Sequence, residues 1–142
     1  MQKTKLKLEY LLFGIFAASF ISFQLVQDVI RPNYNVESTY VNYFLSVAPN
    51  FFPAIGIPAL FIAVFLSAKC NNLKRNFLIE RIHITSMLVS LFGLVAWEFV
   101  QIFAPYGYFD WNDIIWTFAG TFVFYLIWRI IPNTLKTDVI RL

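Results

Sequence analysis

The stretch Trp97–Gly120, WEFVQIFAPYGYFDWNDIIWTFAG, decides how this chain is read. It closes one apolar run near Phe103, turns through a short aromatic loop, and opens a second apolar run at Asp113. A loop this short brings the adjoining ends of the two runs together. Glu98 lies inside the first run with Gln101 one helical turn later, and Asp110 and Asp113 stand at the start of the second. A carboxylate near the middle of a membrane helix costs roughly 3 kcal/mol on insertion scales. A chain that carries this cost beside two further carboxylates is expected to hold a polar pocket at that address.

Outward from this stretch, composition sets the class. Of 142 residues, 59% are hydrophobic, 20% aromatic and only 13% charged. A soluble domain carries about a quarter of its residues charged, so the chain belongs in a bilayer. Four apolar runs, Tyr10–Gln27, Phe51–Ala68, Ile84–Phe103 and Asp113–Ile131, are long enough to cross about 30 Å of hydrocarbon at about 1.5 Å per residue. Little chain remains outside them. The predicted fold is therefore all-α: a polytopic membrane protein forming one four-transmembrane-helix bundle over residues 1–142.

The formal charge of +3 follows topology. Lys3, Lys5 and Lys7 precede span one. Lys69, Lys74, Arg75 and Arg81 separate spans two and three, and Arg129, Lys136 and Arg141 close span four. Ten of the eleven basic residues thus fall on one side, with Arg31 alone on the other. The positive-inside rule makes the crowded side cytoplasmic, with both termini inside. No basic patch is left over for nucleic acid. The N-terminal run superficially fits a signal peptide, but its apolar character continues through Val26 without a clean small-x-small cleavage site, so a retained span is expected. The single Cys70 excludes an internal disulfide and is placed at the cytoplasmic end of span two.

Span one carries Gly14, Ala18 and Ser22 at intervals of four, a period that lets helix backbones approach closely; ordinary helix packing is the favoured reading. Gln24, Gln27, Asp28 and Arg31 mark its outer end. Arg31–Ser46 then reads as an external loop, with Tyr40, Tyr43 and Phe44 suited to the interface. Span two opens on Pro49-Asn50-Phe51-Phe52-Pro53. Pro49 suits a helix start, while Pro53 and Pro58 fall inside and loosen the outer half. Asn50 reads equally as a helix-start residue or a pocket donor. Residues 69–81 form an amphipathic cytoplasmic connector. The lone His83 has no neighbouring ligands at metal-site spacing and is read as a boundary residue.

In span three, Ser86, Ser90, Gly93, Trp97 and Gln101 share one stripe, with Glu98 at its edge. In span four, Asp113, Thr117, Gly120 and Phe124 share another. Asp110 can cap span four, and Asp113 falls near its third residue, where an anion suits the helix dipole. Capping accounts for both aspartates without any function. It leaves Glu98, about 7.5 Å inward of Phe103 by helical rise, unexplained.

Glu-x-x-Gln, a short loop, Phe-Asp-x-x-Asp and a downstream glycine resemble the signature of VanZ-like membrane proteins. Glu98, Gln101, Asp113 and Gly120 match that pattern, and PNFFPAIGIP at Pro49–Pro58 is similar to the start of the family's second helix. The chain departs from it at Tyr106-Gly107-Tyr108, where an arginine is frequent, and at Thr117, where an asparagine is common. The family takes its name from an accessory factor in glycopeptide antibiotic resistance. The resemblance implies a bacterial cell-envelope protein of the cytoplasmic membrane rather than a particular reaction.

The leading expectation is an integral membrane protein that binds a polar group in an outward-facing pocket. Glu98, Gln101, Asp110, Asp113, Thr117 and Asn50 are its ligand-binding candidates, with Trp97, Trp111 and Trp116 as amphipathic walls. A lipid head group, a lipid-linked envelope precursor or a glycopeptide suits such a site, and no cofactor or metal is called for. One alternative is a membrane-embedded, carboxylate-dependent enzyme in which Glu98 acts as acid or base and Asp110 and Asp113 place a divalent cation. Another is a structural subunit that packs through Gly14, Ala18 and Ser22 in a homo- or hetero-oligomer.

Overall fold

The computed structural model describes residues 2–33, 38–68, 81–104 and 109–140. The chain begins with α1 (Gln2–Gln24), which runs on through a π-helical segment, Leu25–Ile30, and a last turn, Arg31–Asn33. Then come α2 (Thr39–Ser67), α3 (Ile82–Gln101), α4 (Trp111–Ile130) and a short α5 (Asn133–Ile140). Four helical stretches, Lys7–Asn33, Thr39–Ser67, Ile82–Gln101 and Trp111–Ile130, are long and apolar enough to cross a membrane. The all-α four-helix membrane bundle expected from the sequence is the fold.

The first two spans depart from their expected limits. The described parts of Arg31–Ser46 are helical but for Ser38, rather than an external loop: the helical run of α1 extends to Asn33 and α2 begins at Thr39, while residues 34–37 lie outside the described residues. Pro49 therefore lies a third of the way along α2, not at its start, together with Pro53 and Pro58. Each proline lacks an N–H and strips a bond from the carbonyl four residues earlier, which a long membrane helix tolerates where neighbours pack against it. At 29 residues, α2 measures about 44 Å by helical rise, well beyond an apolar core of about 30 Å. With 20 residues each, α3 and α4 barely span that thickness.

The bundle is built around α2, which packs on α1, α3 and α4, and most extensively on α1 and α4. Small side chains make this closeness possible. Ala48, Ala54, Ala59 and Ala63 are fully buried along α2. A Cβ added at Gly120 would collide with the Phe51 carbonyl oxygen and sit 2.8 Å from the Ala54 Cβ, so glycine sets the distance between α4 and α2. Gly56 plays the same part toward α1, where a Cβ would lie 2.9 Å from that of Ser19. The stripe assigned to α1 packing is the wrong one: a Cβ at Gly14 would meet nothing within 4 Å, and Ala18 is exposed. Among the described side chains of α1, Leu8, Glu9, Leu12 and Ser19 are buried.

One apolar cluster fills the end of the bundle where α1 starts and α4 finishes, joining Leu8 and Leu12 to Ile62, Leu66, Ile82, Phe124 and Trp128. Pro132 ends α4, and α5 folds back to pack against α1. A smaller cluster of Val26, Leu45 and Ala48 holds the far ends of α1 and α2 together.

Candidate functional site

Helix α3 presents a different face to the bundle from the one its polar pattern suggested. Its buried residues are Ile82, Ser86, Ser90 and Glu98, which with half-buried Leu94 form a continuous i, i+4 row. Such a row drifts around the helix, as expected for a helix crossing its neighbours at an angle. Of the stripe read from the wheel, Ser86 and Ser90 are buried, Gly93 is exposed, and Trp97, 60% exposed, stands at the cleft. Glu98, placed at the edge, is among the most deeply buried side chains in the protein, at 1% exposure. The stripe expected on α4 holds: Thr117, Gly120 and Phe124 are buried and Asp113 is half-buried above them.

Beside Glu98 the four spanning stretches enclose a cleft of about 410 Å³. The extension of α1 contributes Phe23, Gln27 and Arg31, and α2 contributes Ser46, Pro49, Asn50 and Pro53. The opposite wall is made by Leu94, Trp97 and Gln101 of α3 and Asp113 of α4. Local chemistry explains how several of these side chains are held. The π-helical segment, with the Arg31 N–H bonded to the Val26 carbonyl, carries Gln27 and Arg31 on one side, where Arg31 Nη1 donates to Gln27 Oε1 at 2.7 Å. Short π-helical insertions recur at functional sites because they re-aim side chains within an otherwise regular helix.

Gln101 is shared between the cleft and the interior. Its Nε2 donates to Glu98 Oε1 at 3.1 Å, so the residue at the cleft surface grips the carboxylate behind it. The second oxygen, Oε2, is buried with no partner among the described residues. A buried polar atom left unpaired costs roughly 1–3 kcal/mol, more when charged, so such atoms call for a reason. Both Asp113 and Asp110 lie within electrostatic reach of Glu98, Asn50 is the hydrogen-bonding neighbour of Asp113, and Arg31 acts on Asp113 from across the cleft.

Asp110 has the capping role expected of it: Oδ1 accepts from the Asn112 backbone N–H at 2.8 Å and from Asn112 Nδ2 at 2.9 Å. It does not line the cleft. Nor does Thr117, whose hydroxyl donates to the Asp113 carbonyl at 2.8 Å in its own helix. Of the six candidate residues, Asn50, Gln101 and Asp113 thus meet in the cleft, Glu98 stands behind Gln101, and Asp110 and Thr117 are held by local bonds. Among the described residues, no group of three His, Cys, Asp or Glu is placed to hold a metal ion. Residues 105–108 and Cys70 lie outside the described residues.

Sequence reasoning passed over one bonded array. Trp116 Nε1 donates to the Tyr43 hydroxyl at 3.1 Å, and that hydroxyl donates to Asn112 Oδ1 at 3.3 Å, so the array runs on to Asp110 through the Asn112 side chain. It ties the first turns of α2 to the first turns of α4 and braces the cleft. Reading residues 31–46 as a loop concealed it, since Tyr43 then has no fixed height. Gln27 and Arg31, four apart, were the available signal for the α1 wall.

At the opposite end, His83 stacks on Trp128, with ring centroids 5.1 Å apart and planes inclined by 11°. Lys136 Nζ lies 5.3 Å from the centroid of the same indole. Burial first, and then the charge of Arg129, push the Lys136 ammonium below its ordinary pKa.

The fold defines a class, a polytopic helical-bundle membrane protein, here with a polar cleft near one end. Compared with protein-family models, curated proteins and solved structures, the chain matches none.

Proposed function

We propose that this protein is a VanZ-like component of a bacterial envelope that binds a polar group from outside the cytoplasmic membrane, in the cleft between Arg31, Asn50, Gln101 and Asp113. One observation carries the reading. Four helices bring opposite charges and amides to a 410 Å³ opening, and behind it a deeply buried carboxylate has one oxygen without a partner among the described residues. A bundle selected only for stability would fill that position with an apolar side chain, since glutamate costs insertion energy and gains a single bond in return. Motif residues Glu98, Gln101 and Asp113 are brought together, which supports the family reading. Sidedness rests on charge: Lys7, Arg81, Arg129 and Lys136 stand at the closed end and Arg31 at the cleft.

Two measurements test it. In a Cys70→Ala background, Ser46→Cys should react with a membrane-impermeant maleimide added to intact cells; reaction only after lysis would place the cleft on the cytosolic side and end the proposal. Native mass spectrometry of purified protein should show retained envelope lipid or precursor, with the adduct reduced in Asp113→Asn and in Glu98→Gln. An adduct indifferent to both changes would locate binding elsewhere.

A second reading, a subunit of a larger assembly, draws on the uncovered stripe at Gly14 and Ala18. Site-specific crosslinking from Ala18 to one defined protein would favour it.

A further inference from the structure

The cleft does not end at its polar rim. Phe23 and Pro53 also form one end of a second opening, an apolar groove of about 300 Å³ between α1 and α2. Its origin is legible in the packing. Gly56 lets the two backbones approach at Ser19, while Phe16, Phe20 and Phe23 stand along α1 beside this contact. Their rings succeed one another at centroid distances of 6.0 and 6.4 Å. Together with Pro53 and Ile57, these rings leave a channel that runs from the cleft along the helices toward the bundle's middle.

The cleft above it carries charge of both signs. Arg31 is the cation, fixed by Gln27 and standing eight residues beyond Phe23 along the extension of α1. Asp113 is the anion, on the far wall with Asn50 beside it. Among the described residues the two form no direct ion pair, so each is left able to meet a group of opposite charge. A guanidinium recognises a phosphate ester through paired N–H donors, and a carboxylate flanked by amides recognises an ammonium group. Phosphate and ammonium a few bonds apart, joined to an alkyl chain, are the chemistry of an amine-bearing zwitterionic phospholipid.

We infer that cleft and groove together bind one such molecule, the phosphate at Arg31, the ammonium at Asp113 and an acyl chain along Phe16, Phe20, Phe23 and Ile57. This rests on the proposed reading of the cleft and names its ligand class. Charge complementarity decides against an anionic phosphoglycerol lipid, which would set hydroxyls against Asp113 with no cation to match it. Continuity through Phe23 and Pro53 decides against a soluble ligand, which would leave the groove idle.

The test uses purified full-length protein and three probes measured by native mass spectrometry titration: a 16-carbon lysophosphatidylethanolamine, the matching lysophosphatidylglycerol, and glycerophosphoethanolamine without a chain. Wild type should prefer the first over each of the others by about tenfold or more, the value of one charge-assisted contact or of a few buried methylenes. Arg31→Ala should weaken both lysolipids by about tenfold. Asp113→Asn should abolish the preference between the two lysolipids. Ile57→Trp, which fills the groove, should erase the advantage of the chain while leaving glycerophosphoethanolamine binding unchanged. The wild-type series decides without any variant. Equal binding of both lysolipids removes the amine from the inference, and equal binding of the chainless probe removes the groove; either overturns it while the cleft reading stands. Failure of all three probes overturns the inference too, and the cleft reading then rests on the separate response of the retained envelope adduct to Asp113→Asn.

Discussion

The two ends of this bundle are closed in opposite ways. At the end holding the start of α1, apolar residues from all four spans interlock, and the indole of Trp128 contacts both His83 and Lys136. At the other, the same helices stand apart around a polar cleft and are braced by hydrogen bonds at its edge. One end is filled by packing, and the other carries Pro49, Pro53 and, behind them, a Glu98 oxygen with no partner among the described residues. On the proposed reading of the cleft, stability and binding are separable by position, and substitutions at the two ends should divide accordingly.

The largest effect belongs to the packed end. Trp128→Ala should lower unfolding free energy by about 3 kcal/mol or more, since a buried indole is lost together with its ring partners. Thermal unfolding in detergent should register this, while lipid adducts at the cleft persist below the new transition. Equal loss of both would show the ends to be one cooperative unit.

Gly120→Ala comes next. The new methyl meets backbone rather than a yielding side chain, so α4 must move off α2 at a cost of about 1–3 kcal/mol. Because Gly120 lies two turns below Asp113, the shift should also weaken cleft binding. Gly93→Ala is the control: with nothing within 4 Å of its added Cβ, stability should hold or rise by about 0.5–1 kcal/mol. If the two glycine variants behave alike, the close α2–α4 contact is not what holds the cleft walls in place.

At the open end, Tyr43→Phe removes the hydroxyl that joins Trp116 to Asn112. The expected cost is about 1 kcal/mol, with a larger proportional loss of ligand than of stability. A stability loss with binding untouched would demote the array to ordinary helix pairing.

These contrasts also show what the sequence could disclose. Four spans, a polar hairpin at Trp97–Gly120 and the Asp110 cap follow from hydropathy and spacing, which are local properties. The inward turn of Glu98 in place of Trp97 does not. It depends on the angle at which α3 crosses α2, and a straight helical wheel averages that angle away. Arg31–Asn33 and Thr39–Ser46 misled for a related reason: their polar and aromatic character looks like a loop, yet they are the ends of helices longer than the apolar slab is thick, where such residues belong. The Gly14–Ala18–Ser22 spacing was as good a packing signal as Gly56 and Gly120. Only tertiary structure decides which small residue faces a neighbour.

The smallest expected effect tests how the closed end holds Lys136, which is buried there as Glu9 is. The Lys136 ammonium is shifted below the ordinary 10.5 by burial, so the unfolded chain holds this proton more tightly than the folded one. Where the two states differ, unfolding takes up a proton, and stability rises as pH climbs from the lowered value toward 10.5. Lys136→Met keeps the bulk and removes the titration. The difference in melting temperature between wild type and this variant should therefore move in favour of wild type as pH is raised toward 10.5. Other lysines and tyrosines titrate nearby, but they do so in both proteins and cancel. Movement in the reverse direction would mean that the Trp128 ring holds the cation more strongly than burial opposes it, and the closed end would then share the charge-binding character of the cleft.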